Sequence, residues 1–296
     1  MLELIDLRRR FGDVVALDGV SFEVPEGRIV GFVGRNGSGK TTTMRIALGV
    51  LDADAGDVRW RGSPVDASSR RLFGYMPEER GLYPKMRVRE QLVYLARLHG
   101  VSKDVAARRA DELTEALQLL GGPRDRIETL SLGNQQRVQL AASLVHDPDV
   151  LVLDEPFSGL DPVGVDVLAD VLMREARGRG AAVVFSSHQL DLVERMCDEV
   201  VLIEKGRVVA RGTITELRAS RARNLWEVAV AGDGHWWEVL PGVAVVDRRG
   251  GAVVFELADD ADPQRLLDLA RSEGDVQRFG PVRPSLAELF REVVQE

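Results

Sequence analysis

Apolar residues in the first half of the chain change from an alternating to a helical spacing. Residues 1–24 alternate apolar and polar positions, which predicts short antiparallel strands. Residues 28–33 form a fuller apolar strand that runs into a glycine-rich loop, and residues 42–50 continue as a helix. Between about residues 87 and 147 the apolar positions recur at helical spacing, and Gly121-Gly122-Pro123 is a helix terminator.

Short apolar strands and helices then alternate as far as residue 203. The predicted strands cover residues 150–153, 181–185 and 200–203, and the predicted helices cover residues 136–145, 162–177 and 189–196. Such alternation is typical of a mostly parallel sheet that is covered by helices on both faces. The expected fold class is therefore α/β with a mixed sheet, an N-terminal antiparallel β subdomain and a helical insertion over about residues 80–147.

The character of the sequence changes after a polar, arginine-rich stretch at residues 218–223, which is typical of a linker. Beyond it, predicted strands cover residues 226–230, 236–240, 243–246 and 253–257, and predicted helices cover residues 263–272 and 285–294. Residues 224–296 are therefore expected to form a small C-terminal α+β domain. Trp226, Trp236 and Trp237 lie in it, and they are expected to pack in its core rather than to line a ligand site.

Composition narrows the possible functions of the chain. Its 296 residues are 45% hydrophobic and 29% charged, which is typical of a soluble globular protein. The net charge of −8 and the lack of a basic stripe argue against nucleic-acid binding. The single cysteine, Cys197, excludes an internal disulfide and fits a reducing compartment. The apolar runs are strand-length and no signal segment is recognised, so any membrane role is expected to come through another chain.

A phosphate-binding loop is the first candidate site. The stretch after the apolar strand at residues 28–33 reads Gly34-Arg35-Asn36-Gly37-Ser38-Gly39-Lys40-Thr41. Glycines in this pattern let backbone N–H groups turn inward around phosphate oxygens, and the following helix adds its positive dipole end. Lys40 can reach the β- and γ-phosphates, and the Thr41 hydroxyl suits Mg²⁺. A plain glycine-rich turn is the alternative, which the strand before the loop and the helix after it disfavour.

Two carboxylates follow a second buried strand. Asp154 and Glu155 come directly after the strand at residues 150–153, so they are expected beside the phosphate loop. There Asp154 would hold the Mg²⁺ shell, and Glu155 would accept a hydrogen bond from the attacking water as general base or orienter. By itself the pair could equally be a helix N-cap; the phosphate loop favours the catalytic interpretation.

Two further motifs are weak evidence when each is taken alone, and stronger evidence when they occur in order with the phosphate loop and the carboxylate pair. Residues 131–135 precede the predicted helix at 136–145, with Ser131 in its cap region, so free N–H groups should face outward as an anion site. A second copy of the chain could supply that anion. His188 follows the strand at residues 181–185, and a lone histidine there is more often structural. Its place in the ordered set suggests that it contacts the γ-phosphate and fixes the catalytic water.

In this order the motifs resemble those of the ATP-binding subunits of ABC transporters, over about residues 1–218. The resemblance implies a P-loop NTPase fold with ATP and Mg²⁺ as cofactors. It implies catalytic roles for Glu155, His188 and Lys40. The nucleotide-binding residues it implies are Phe11, which stacks on adenine, Gly34, Arg35, Asn36, Gly37, Ser38, Gly39, Lys40, Thr41, Thr42 and, from the signature segment, Ser131, Gly133 and Asn134. The metal-binding residues it implies are Thr41, Glu78 and Asp154.

The chain departs from the family pattern in two places. Leu132 and Asn134 replace a glycine and a glutamine of the signature, although the Gly133 N–H is kept. Glu78 stands where the family usually has glutamine, and its carboxylate could still bind Mg²⁺. Residues 77–86 and 284–290 are similar to those of exporters of the sodium-efflux and multidrug or antibiotic-resistance type.

The resemblance also implies partners. Members work as head-to-tail dimers with two ATP molecules between the phosphate loop of one subunit and the signature of the other, so a homodimer is expected. A polytopic membrane permease is the second expected partner, gripped by an exposed surface around Leu82, Tyr83, Met86 and Val88 at the cytoplasmic face of the membrane. One alternative is a soluble ABC ATPase acting on nucleic acid or the ribosome. Another, a small-molecule kinase, is opposed by the signature and His188.

Overall fold

The computed structural model describes residues 1–79, 81–119, 124–220, 224–231, 236–258, 261–282 and 285–295. The chain divides into two compact units, Met1–Ile214 with Val293–Glu296, and Thr215–Glu292. The predicted domain limits at residues 218 and 224 stay a prediction. The predicted terminator at Gly121-Gly122-Pro123 lies outside the described residues.

The first unit is built from two sheets and the helices that follow their strands. Its strands are β1 (Leu2–Phe11), β2 (Val14–Val24), β3 (Ile29–Val33), β4 (Ala55–Trp60), β5 (Ser63–Pro64), β6 (Phe73–Met76), β7 (Val150–Leu153), β8 (Ala182–Ser187), β9 (Glu199–Glu204) and β10 (Arg207–Gly212). Its helices are α1 (Lys40–Ala47), α2 (Val88–Leu98), α3 (Lys103–Ala116), α4 (Leu132–Leu144), α5 (Pro162–Met173) and α6 (Leu190–Met196).

The larger sheet brings the ends of its strands to one edge. Its order is β10-β9-β3-β8-β7-β6, with parallel pairing from β9 to β6 and an antiparallel hairpin between β9 and β10. Val33 at the end of β3 pairs with Ser187 at the end of β8, and Met76 at the end of β6 pairs with Leu153 at the end of β7. The segments after these strands therefore leave the sheet side by side, which confirms the predicted α/β class with a mixed sheet.

The core of the first unit includes apolar side chains from both sheets. The smaller sheet is antiparallel, with the order β2-β1-β4-β5. All five residues of β3 are buried, because a central parallel strand is covered on both faces. From the smaller sheet Phe22 packs on Phe32 of β3, with ring centroids 4.9 Å apart. This packing fixes the strand that leads into the glycine-rich loop.

Two local predictions in the first unit are wrong. Helix α4 begins at Leu132, not at residue 136, because Ser131 caps it and accepts the Asn134 N–H at 3.3 Å. Gly133 and Asn134 therefore belong to its first turn. Val88, predicted in an exposed surface, is only 1% exposed because the first turn of α2 packs inward, whereas Tyr83 is 52% exposed.

The second unit carries a four-stranded antiparallel sheet. Its strands are β11 (Leu225–Val230), β12 (Val243–Arg249), β13 (Ala252–Leu257) and β14 (Val276–Pro281), and its helices are α7 (Ile214–Ser220), which starts in the first unit, α8 (Pro263–Glu273) and α9 (Leu286–Gln295). The sheet order is β12-β13-β11-β14. Its core holds Trp237 against Phe255, with ring centroids 5.4 Å apart, and Trp226 packs beside it on Phe279.

Sequence patterns misplaced three elements of this unit. The predicted strand at residues 236–240 is a 3₁₀ turn, Trp236–Val239, in which the Leu240 N–H bonds the Trp237 carbonyl at 3.0 Å and Trp237 turns into the core. Strand β14 was missed because only two of its six residues, Val276 and Phe279, are large and apolar. Residues 218–220, predicted as linker, close α7; residues 221–223 lie outside the described part.

We expect two phenylalanine substitutions to separate core packing from surface exposure. Phe32 is fully buried, so Phe32→Ala should lower the free energy of unfolding of the first unit by about 3–5 kcal/mol. Phe11 is 47% exposed, so Phe11→Ala should change it by less than about 1 kcal/mol. Urea denaturation of both variants beside the parent chain measures this. Equal losses would contradict the packing described for β3.

Candidate active site

The glycine-rich loop after β3 has the backbone shape of a phosphate cradle. Gly37 and Gly39 have φ of 80° and 109°, in the left-handed region that favours glycine. A Cβ at Gly39 would lie 2.7 Å from Leu17 and 2.8 Å from the Ala16 carbonyl, so β2 presses directly against the loop. Ser38 is 3% exposed, and its hydroxyl has no hydrogen-bond partner among the described residues. The loop thus offers a buried hydroxyl that a phosphate oxygen would satisfy.

Helix α1 adds its N-terminus to this cradle. Its N-cap, Gly39, supplies no side-chain hydrogen bond, so first-turn N–H groups remain available to an anion. Lys40 is buried, and its ammonium donates to the carbonyls of Gly34 at 2.7 Å and Arg35 at 3.2 Å. A cation held inside the loop, next to a helix N-terminus, complements the negative charge of a phosphate group.

Asp154 lies at the centre of a short hydrogen-bond chain. It is 1% exposed, and one carboxylate oxygen accepts from the Thr41 hydroxyl at 2.8 Å. The other oxygen accepts from the Ser186 hydroxyl at 2.6 Å, and Ser186 in turn accepts the Glu155 N–H at 2.8 Å. The chain of bonds joins the ends of β7 and β8 to the start of α1. Thr41 and Asp154 together present the hard oxygen ligands that Mg²⁺ prefers.

Ser186 is a site residue that the sequence analysis did not single out. It is fully buried at the end of β8, and it connects Asp154 to the Glu155 backbone. A signal was available, because a serine at the end of an apolar parallel strand, two residues before His188, lies on the edge where Asp154 follows β7.

Glu155 and His188 form a pair at the open side of the site. The His188 Nδ1 atom lies 2.9 Å from Glu155 Oε2; the histidine side chain is 63% exposed and the glutamate side chain 12%. Burial raises the pKa of Glu155, while the charges of His188 and Lys40 act to lower it. A half-desolvated carboxylate beside an imidazole can accept a proton or a hydrogen bond from a water molecule.

The predicted signature residues are on the surface at the start of α4. Leu132 is 60% exposed, and a Cβ added to Gly133 would lie 3.6 Å from Leu160 and 3.8 Å from the Gly159 carbonyl, which is ordinary contact. The N-terminus of α4 therefore faces outward, with Ser131 capping its first turn through the Asn134 N–H.

Phe11 and Glu78, two further predicted site residues, lie at or just after the ends of two other strands. Phe11 ends β1, its ring is 47% exposed, and the Arg9 guanidinium lies 4.9 Å from the ring centroid. Glu78 follows β6 and is exposed. The end of β6 lies next to Asp154, because the Asp154 N–H donates to the Met76 carbonyl at 2.8 Å. Their predicted roles toward adenine and Mg²⁺ stay predictions.

Comparisons with known proteins give the family of the chain. A sequence profile described as "ABC transporter" matches residues 17–158, and one described as "ATP-binding protein DrrA1-3-like, C-terminal domain" matches residues 212–294. The uncharacterised ABC transporter ATP-binding protein YhaQ of Bacillus subtilis is 36% identical over 99% of this chain and 98% of its own length. The linearmycin resistance ATP-binding protein LnrL of the same organism is 31% identical over 73% of this chain and 70% of its own length.

Solved structures share the fold of the first unit. An ATP-binding subunit of an ABC transporter superposes with a TM-score of 0.69 at 31% identity, over 75% of this chain and 93% of that one. A dimeric cassette, MJ0796, bound to ADP and Pi has a TM-score of 0.67 at 22% identity, over 72% of this chain and 99% of that one.

The site and these comparisons define a nucleotide-binding subunit with a phosphate loop. The chain belongs to the ATP-binding proteins of ABC transporters, whose ATPase domains bind and hydrolyse ATP. The resemblance found in the sequence is confirmed. In the described part of the chain, no helix is long and apolar enough to span a bilayer.

Loss of the Lys40 ammonium should weaken the binding of phosphate by the glycine-rich loop. We expect Lys40→Ala to weaken ATP binding strongly and to abolish detectable hydrolysis, because a charge-assisted contact to the β/γ oxygens is lost. Calorimetric titration with ATP and a phosphate-release assay measure both effects. Lys103→Ala, an exposed lysine on α3, is the matched control and should behave as the parent chain. Parent-like turnover of Lys40→Ala would show that the loop is not the nucleotide site.

Proposed function

We propose that the chain powers an exporter: two copies close on two ATP molecules, hydrolysis opens them, and a membrane permease turns that motion into transport. The observation that carries the catalytic part is the bonded set of Thr41, Asp154, Ser186, Glu155 and His188 beside the phosphate loop.

In this mechanism each side chain acts on a different part of the nucleotide. Lys40 and the loop N–H groups bind the β- and γ-phosphates, and the exposed ring of Phe11 stacks on adenine. Glu155 accepts a hydrogen bond from the attacking water. His188, at 2.9 Å from Glu155, orients that carboxylate and contacts the γ-phosphate.

Mg²⁺ fits the oxygen atoms available here. The Thr41 hydroxyl and the Asp154 carboxylate would hold it, with Glu78 as a further candidate, and it would neutralise charge on the phosphate oxygens. Ser186 keeps the buried Asp154 carboxylate oriented toward Thr41.

The outward-facing start of α4 supports a dimer. Its N–H groups and positive dipole end form an anion site at the surface, and the exposed Leu132 beside it leaves room for another molecule. The MJ0796 cassette bound to ADP and Pi is dimeric, and a dimer is likewise the arrangement proposed for two copies of this chain.

Export through a separate permease rests on the relatives. LnrL is named for linearmycin resistance, and another relative from Burkholderia lata, at 37% identity, is named for Nod factor export. We propose that a polytopic permease holds this chain at the cytoplasmic face of the membrane, through Tyr83 and the half-buried Leu82 and Met86. Affinity purification of the chain from detergent-solubilised membranes tests this: a polytopic membrane protein should co-purify with it, and recovery on ribosomes or nucleic acid instead would favour the alternative ATPase.

The raised pKa of Glu155 predicts how kcat for ATP hydrolysis falls as the pH is lowered. The water-accepting form is the carboxylate, so kcat should fall as the pH decreases through the pKa of Glu155. Because burial raises that pKa, the fall should begin at a higher pH than for an exposed glutamate, whose pKa is about 4.3. The measurement is kcat against pH at saturating ATP and Mg²⁺. The slow residual rate of Glu155→Gln should lack this limb; the same limb in that variant would assign it to another group.

Glu155→Gln should trap the closed dimer. The amide keeps the size of the side chain but removes the negative charge, so ATP should bind while hydrolysis, which opens the dimer, stalls. Light scattering with ATP and Mg²⁺ should then report a dimer for the variant and mostly monomer for the parent chain. Hydrolysis at the parent rate would show that Glu155 is not the catalytic carboxylate.

Gly133→Asp tests whether the start of α4 meets the partner's phosphate. A Cβ at Gly133 meets only ordinary contacts within its own chain, so the substitution should leave the fold intact. Added to Glu155→Gln, it should abolish the dimer, because its carboxylate would face the γ-phosphate. If Glu155→Gln stalls but never dimerises, even with the permease present, the two-copy mechanism is wrong for this chain.

A further inference from the structure

Gln136 connects helix α4 to the backbone of the catalytic segment. It is the first buried residue of α4, with 3% of its surface exposed. Its carboxamide nitrogen donates to the carbonyl of Pro156 at 3.0 Å and to that of Glu155 at 3.3 Å. A carboxamide nitrogen carries two N–H donors, so one side chain can satisfy both carbonyls.

The backbone that Gln136 holds is in an unusual conformation. Glu155 has a φ of 49°, a region that residues other than glycine rarely adopt and that the surroundings must maintain. Its N–H is held by the Ser186 hydroxyl at 2.8 Å, and its carbonyl also accepts the Ser158 N–H at 3.1 Å. Gln136 is the contact that ties this peptide to α4, whereas Ser186 ties it to β8.

Helix α4 therefore reaches two places that the reaction uses. Its first turn, with Ser131 and Gly133, holds the proposed outward-facing anion site. One turn later Gln136 contacts the Glu155 carbonyl. Because a helical turn is stiff, any shift of the first turn on phosphate binding would move the Gln136 carboxamide with it.

We propose that Gln136 is a positioning residue that sets the Glu155 carboxylate according to the position of α4. The partner's phosphate at the start of α4 then aligns the catalytic carboxylate of the subunit that owns the helix. This inference rests on the proposed function, because it requires Glu155 to be catalytic and the dimer to form.

The test removes the donor and keeps the bulk of the side chain. Gln136→Met is of similar length and donates no hydrogen bond, so kcat should fall at least about tenfold, since small misplacements of a catalytic group are costly. The affinity for ATP should stay within about twofold of the parent, because the side-chain bonds of Gln136 go to the 155–156 backbone and not to the phosphate loop. Gln136→Glu, an acceptor-only carboxylate opposite two carbonyls, should reduce kcat at least as much. Rates are expressed per ATP-binding site, so that only folded molecules count.

A buried glutamine elsewhere provides the matched control. Gln91 on α2 is fully buried, and its side-chain oxygen accepts the Tyr83 N–H at 3.2 Å. Gln91→Met should lose as much stability as Gln136→Met while keeping kcat within about twofold. A tenfold loss there too would mean that burial, not the contact with Glu155, explains the effect.

A double variant separates positioning from structural damage. In the Glu155→Gln background, Gln136→Met should not lower the residual single-turnover rate further, because residues that act as one unit are not additive. A further tenfold loss would overturn the inference, as would a parent-like kcat in both Gln136 variants. A parent-like kcat in Glu155→Gln alone would instead overturn the proposed function.

Discussion

The parallel pairing of β3, β8, β7 and β6 is the constraint on which the active site depends. Each strand ends next to its neighbour, so four loops from distant parts of the sequence leave the sheet at one edge. At this edge direct hydrogen bonds join the Asp154 carboxylate to the hydroxyls of Thr41 and Ser186, and the Glu155 carboxylate to the imidazole of His188. The buried strands supply the rigidity that such a site requires, because close-packed strands cannot shift separately.

Within that sheet edge, the hydroxyl of Ser186 organises the chemistry. By donating to Asp154 and accepting from the Glu155 backbone, it makes the orientation of two successive residues depend on one atom. The Asp154 carboxylate is therefore held by a hydroxyl on each oxygen, and the Glu155 backbone is fixed beside it. The site is preorganised by neutral groups as well as by charged ones. Each oxygen of the buried Asp154 carboxylate accepts a hydrogen bond from a neutral hydroxyl group of the chain.

The sequence predicted the parts of the molecule whose signals are local. A glycine-rich loop between strand and helix, and carboxylates after an apolar strand, identified Lys40, Thr41 and Asp154, which the structure brings together. The start of α4 was misplaced, because a capping serine can set a helix boundary, and strand β14 was missed, because few apolar residues mark this edge strand. Gln136 could not be recognised, since its importance depends on a contact across about twenty positions of the chain. Ser186 was overlooked, although its place at the end of an apolar strand just before His188 was a signal.

The hydrogen bonds of Lys40 have a consequence for how quickly a ligand can be captured. Because the Lys40 ammonium donates to the Gly34 and Arg35 carbonyls, hydrogen bonds within the chain hold the loop in its curved form. An incoming phosphate then has only to exchange partners with one side chain, while the backbone need not search for its shape. Little conformational entropy remains to be lost on encounter, so association should proceed at a rate set by diffusion and charge rather than by loop folding.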